Sequence, residues 1–113
     1  MPSLDLIQRK IEQGHYEFSR HAFDQMILRN ISVKEVEEAV RSKSEIIEDY
    51  PDDKYWPSCL LMGFSRSGRP LHVHCSYPER PLVKIVTVYE PTSTLWVRHK
   101  IRIKRTSDER DSD

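Results

Sequence analysis

The chain predicts an α+β fold, with N-terminal helices packed on one face of an antiparallel sheet. Three observations carry this. Apolar residues recur at helical spacing only within the first 43 residues. From Ser44 onward they alternate, or run in short β-branched stretches bounded by Pro, Gly, Ser and Asp. Short connections then join one stretch to the next, as in antiparallel neighbours, with no helical crossover between them.

Ser3 is an N-cap for a helix over Ser3–Gln13, with Leu4, Ile7 and Ile11 on one side and Gly14 at its stop. His15–Phe18 is an extended link. Ser19 caps a second helix, Arg20–Asn30, whose apolar stripe is Ala22, Phe23, Met26 and Ile27. Ser32 with Glu35 makes a capping box for a third, facing Val33, Val36, Ala39 and Val40 inward. Strands are predicted at Ser44–Tyr50, Ser58–Arg66, Arg69–Tyr77 and Leu82–Glu90. Ser67-Gly68 closes one hairpin, and Pro78-Glu79-Arg80-Pro81 closes the central one. Trp96–Lys104 alternates with a basic side, as an edge strand or extended arm would. Residues 1–104 form one domain, and 105–113 have no apolar residue and read as a disordered charged tail.

With 113 residues, 37% of them hydrophobic and 32% charged, the chain builds one thin core under much surface. It has no run of 18 apolar residues and no apolar leader at its start, so a cytoplasmic protein without a membrane contact is expected. Cys59 and Cys75 lack metal-site spacing and read as small buried hydrophobes. The net charge of zero conceals a division. Residues 1–56 hold 8 Lys and Arg against 12 Asp and Glu, residues 57–104 hold 8 against 2, and residues 105–113 hold 2 against 4. Either the basic sheet meets an anionic partner, or it is matched internally by the acidic helical half.

His72 and His74 are two apart on one strand and so share a face, opposite Leu71 and Val73. With Leu71 and Val73 inward, the two histidines should look out on an open face. Lys84 joins them if Val83, Ile85, Thr87 and Tyr89 pack inward, and the sequence leaves that side open. A histidine pair beside a cation on a basic sheet suits phosphodiester chemistry. One group takes the 2′-hydroxyl proton, another protonates the leaving oxygen, and a cation steadies the phosphorane. His21, in the first turn of the second helix, is a further candidate because the helix end is positive. A metal bound by His72 and His74 is the competing use of the pair, but no CxxC or HExxH accompanies it. Glu48, Asp49, Asp52 and Asp53 read as a solvated strand end or, as a carboxylate cluster, as a general base or metal ligand, and Tyr55, Trp56 and Trp96 as loop aromatics that stack on bases, dock a protein partner or close the core.

The stretches FSRHAFDQMILRNISVKEVEEAV, EIIEDYPDD, PSCLLMGFSRSGRPLHVH and VKIVTVYEP together resemble the domain-of-unknown-function family 4258, from about residue 16 to 96. That family is similar to RelE-like and MqsR-like toxins of toxin–antitoxin pairs. The resemblance implies a RelE- or barnase-like fold and a small metal-independent ribonuclease without a cofactor, neutralised by an antitoxin-like partner. Its motifs fall on Arg20, His21, Glu48, Asp49, His72, Thr87, Tyr89 and Glu90, whereas His74 stands where the family often has an apolar residue. The expected catalytic set is therefore His72, His21, Lys84 and Tyr89, with Arg20, His74, Arg69, Arg98 and Lys100 contacting RNA. The alternatives are a module that binds protein or nucleic acid without cutting, and a homodimer joined through Trp96–Lys104.

Overall fold

Three serines start the three helices. Ser3, Ser19 and Ser32 stand in extended conformation, and each hydroxyl accepts the backbone N–H three residues on. The helices that follow are α1 (Leu4–Glu12), α2 (Arg20–Arg29) and α3 (Val33–Arg41). Asn30 ends α2 in the left-handed conformation, and Glu35 completes the capping box with Ser32. These elements belong to a computed structural model that describes residues 1–92, 96, 97 and 99–102. The segment 105–113, expected to be a disordered tail, lies outside the described residues.

The main sheet has five strands: β1 (Tyr16–Phe18), β2 (Glu45–Tyr50), β3 (Ser58–Phe64), β4 (Pro70–Ser76) and β5 (Val83–Tyr89). Their order is β1-β5-β4-β3-β2, and all pairings are antiparallel except that of β1 with β5. The α+β reading holds. The link His15–Phe18 is more than a link, because Tyr16–Phe18 adds a parallel edge strand on Val83–Ile85. Three residues are too few to show a period, so this strand had no signal of its own.

The helices cover one face only. Ile7, Ile11, Ala22, Met26, Val36, Ala39 and Val40 pack on Cys59, Leu61, Leu71, Val73, Cys75, Val83, Ile85 and Val88. Gly63 is the position where α3 comes closest to the sheet. A Cβ there would stand 1.9 Å from the Ala39 carbonyl oxygen, so only glycine allows this helix to lie on β3. Arg69 ties the helical layer to the strands. Its guanidinium donates to the Arg29 and Asn30 carbonyls at 2.9 and 2.8 Å, and pairs with Glu90 at 2.7 Å and Glu35 at 3.3 Å.

The stretch expected as one strand, Trp96–Lys104, is instead a tight hairpin within its described residues. Trp96–Val97 (β6) pairs antiparallel with Ile101–Arg102 (β7). No Gly, Pro or Asn marks the turn; His99 takes the left-handed conformation itself, at φ 64°. The hairpin rests on the second face of the sheet. Its His99 ring lies 6.1 Å from that of Phe64, and Arg102 reaches Glu48 of β2.

Candidate functional site

Strand alternation sends Ser58, Leu60, Met62, His72 and His74 to the face without helices, because Cys59, Leu61, Leu71 and Val73 face the core. Glu48 and Tyr50 of β2 oppose Leu60 and Ser58 and so join them. A bulge in β5 decides the remaining side. Cys75 opposes Ile85 but His74 opposes Thr87, so Val86 is the extra residue. Val83 and Ile85 face the core before the bulge and Val88 after it. The face opposite the core therefore collects both Lys84 and the pair Thr87 and Tyr89. Simple alternation treated these as mutually exclusive.

His72, expected to look out on an open face, is instead 0% exposed. Its Nε2 lies 2.5 Å from the His99 carbonyl oxygen, and its Nδ1 lies 3.1 Å from the Tyr89 hydroxyl. A carbonyl only accepts, so Nε2 carries the hydrogen and neutral Nδ1 accepts from Tyr89. Burial depresses the His72 pKa, against the opposing pull of the His99 carbonyl and the Glu48 charge. The C-terminal hairpin, expected as an edge strand or an extended arm, covers this histidine.

His74 is half-buried and reachable. Its Nε2 is 2.8 Å from Ser58 Oγ, which donates in turn to Asp53 Oδ2 at 2.5 Å. The serine has one hydrogen and gives it to the carboxylate. His74 Nε2–H must then donate to Ser58, leaving Nδ1 as the basic nitrogen. Burial lowers the His74 pKa, and Asp53 and Glu48 partly oppose that. The Tyr50 ring meets that of His74 edge to face at 5.4 Å.

Glu48 holds the other side together. It accepts from Tyr50 and takes two bonds from Arg102, at 3.1 and 3.3 Å. Burial would raise the Glu48 pKa, but the bonds from Arg102 and Tyr50 outweigh it and hold the carboxyl below its usual range. Tyr50, Leu60, His74, Thr87, Tyr89 and Arg102 line a cavity of about 220 Å³. A second cavity of about 560 Å³, lined by Tyr50, Pro51, Asp52, Asp53 and His74, adjoins it through the shared Tyr50 and His74.

Of the expected catalytic residues, His72 and Tyr89 are in contact here, beside His74. Lys84 is not. It pairs with Glu17 at 4.0 Å and stands near Ser76, four residues from His72 along β4, roughly 13 Å at strand rise. His21 and Arg20 are exposed at the start of α2, on the helical side of the sheet. Arg69 is engaged by two carboxylates and two carbonyls, and Lys100 pairs with Glu45 at 3.2 Å. Arg98 lies outside the described residues. The basic sheet is thus not bare, since Arg69, Lys84, Lys100 and Arg102 each meet a glutamate. Among the described residues, no three His, Cys, Asp or Glu side chains gather in a way that could hold a metal ion. None of the described helices is long and apolar enough to cross a membrane.

Sequence reasoning missed Tyr50 and Ser58 as parts of this site. The alternation of Glu48 and Tyr50 was visible, but their facing His74 depends on β2 pairing with β3. The family model described as Domain of unknown function (DUF4258) matches residues 18–90, well over half of the chain. That span contains His72, His74 and Tyr89 but not the hairpin that carries His99 and Arg102. None of the curated proteins and none of the solved structures matches the chain.

Proposed function

The chain belongs to the family of the domain of unknown function DUF4258, and we propose that it is a metal-independent RNA endonuclease of the cytoplasm, working from the cavity beside His74. One observation supports this above others. The Tyr89–His72 pair, His74 and Arg102 meet around a single cavity of about 220 Å³. The reaction is attack of a ribose 2′-hydroxyl on the adjacent phosphorus. Tyr89 Oη takes the 2′ proton while its own proton passes to His72 Nδ1. The imidazolium so formed keeps its bond to the His99 carbonyl and is favoured by the Glu48 charge. His74, protonated, gives its proton to the departing 5′ oxygen. Arg102, 57% exposed along its side chain, turns from Glu48 to the phosphate. The products are a 2′,3′-cyclic phosphate and a free 5′-hydroxyl.

The resemblance to RelE-like and MqsR-like toxins supports a toxin-like role with an antitoxin-like protein as partner. The second reading is a binding module that holds RNA without cutting it. The pairing of Lys100 and Arg102 with Glu45 and Glu48 favours it, because such pairs build a surface rather than a bare catalytic cation. Incubation of pure protein with RNA, with and without EDTA, distinguishes the two. Cleavage should persist in EDTA and leave cyclic phosphate ends. His74→Gln should lower the rate about 10²–10⁴-fold with an unchanged melting temperature, as loss of a general acid does. Full activity in a folded His74→Gln variant sinks the mechanism. Binding without any cleavage leaves the binding module standing.

A further inference from the structure

The cysteines are the nucleophiles that this mechanism does not use. Cys59 and Cys75 are both free, both buried, and directly opposite each other on β3 and β4. Hydrogen bonds at the two ends of this ladder define what kind of pair they are. Ser65 N–H donates to the Arg69 carbonyl at 2.9 Å, and Tyr77 N–H donates to the Pro57 carbonyl at 3.0 Å. Counting inward by twos from either end makes Cys59 and Cys75 a hydrogen-bonded pair. Pro70 agrees, since it has no N–H and falls on a non-hydrogen-bonded position opposite Phe64.

That register sets their reach. The Cα atoms of such a pair lie about 5.5 Å apart, within the roughly 4.4–6.8 Å that a disulfide spans. Their Cβ atoms lie toward the wide end of about 4.5–5.5 Å, where a relaxed disulfide wants about 3.8 Å. A bridge can close here, but only by pulling the strands together. Bridges strained in this way are the readily reduced ones.

We propose that Cys59 and Cys75 are a redox modification site, a cross-strand dithiol that a small peroxide closes to a strained, readily reopened disulfide. One thiolate attacks a peroxide oxygen, the O–O bond breaks, and water leaves a sulfenic acid behind. The second thiolate attacks that sulfur, the S–S bond forms, and the second oxygen leaves as water. Two thiols lose two electrons and two protons, and one hydrogen peroxide becomes two waters. The bond between the thiols, and burial, keep Cys75 protonated, so closure is slow and waits on opening of the strand ends. Cys59 is the second residue of β3 and Cys75 the last but one of β4, both at the end joined to the 51–57 connection. Cys75 also follows His74, so closure pulls on the strand that carries the candidate site.

The test treats the folded protein with hydrogen peroxide, then counts thiols in denaturant and takes the intact mass. The count should fall from two to zero, with loss of two hydrogens and no dimer. Reduced glutathione, added to the folded protein, should then restore both thiols. Cys59→Ala and Cys75→Ala, each checked by thermal melting, should form no internal bridge. Two surviving thiols, added oxygen at either cysteine, intermolecular dimers, a bridge that resists glutathione, or a treated sample that has unfolded would each overturn the proposal.

Discussion

His72 shows at the scale of one residue how burial changes what a mutation reads. On an exposed face, removing it would cost little packing. Inside this fold it fills space and bonds to both Tyr89 and the His99 carbonyl. His72→Ala should therefore lower stability by about 2–4 kcal/mol, from the cavity and the orphaned partners together. The sign of its pH dependence follows from the same burial. The folded pKa lies below the ordinary 6.5, so near that pH the unfolded chain binds more protons. Stability from His72 is complete above 6.5 and is lost as pH falls through 6.5 toward the folded value. His74 has the same sign. Glu35 and Glu48, held below their ordinary 4.5, withdraw support only at lower pH, which separates the windows. Urea titrations at about pH 8 and about pH 5.5 should show the loss in the native chain and a smaller one in His72→Gln. Equal loss in both proteins would assign the effect elsewhere.

Between elements, two contacts set the helical layer on the sheet. The Ala39 carbonyl fills the place of a Gly63 side chain, and that atom is backbone, which cannot swing aside. Gly63→Ala must push α3 off β3 and should cost more than about 3 kcal/mol by chemical denaturation. A mild effect would show that the helix shifts freely. Arg69, just before β4, holds the end of α2 through carbonyls that no helix bond satisfies, and meets the carboxylates of Glu35 in the first turn of α3 and Glu90 just after β5. Arg69→Ala should cost about 1–3 kcal/mol, and Arg69→Lys should recover little of it, because an ammonium cannot reproduce the planar fork. RNA affinity that falls in Arg69→Ala with unchanged stability would instead return Arg69 to the binding surface.

For the whole molecule the question is whether its divided charge is turned inward or outward. Four basic side chains of the strand-rich half each meet a glutamate from the acidic N-terminal half. Much of the division is therefore an internal match. If RNA binds at the cavity, its affinity should fall as salt rises, by a slope of about −0.7 per phosphate contact on a log–log plot. Arg102→Ala should flatten that slope by about one contact. Affinity that is flat with salt would remove the phosphate argument for this face.

What the sequence determined by itself was the part governed by local rules. Ser3, Ser19 and Ser32 satisfied N–H groups within their own first turns, so the helix starts could be read directly. Leu71 and Val73 were apolar at a spacing of two, which placed His72 and His74 opposite the core. What only the tertiary structure decided depended on contacts distant in sequence. The single extra residue Val86 reversed the facing of Thr87 and Tyr89, because a bulge is a property of two paired strands. Tyr50, Ser58 and Asp53 reached His74 only once β2 and β3 had paired. His72 passed from an open face to a closed one because His99 turned the chain back over it, at a conformation no local signal announced. The residues that could do chemistry were legible in the chain. Which of them could be reached depended on what folded over them.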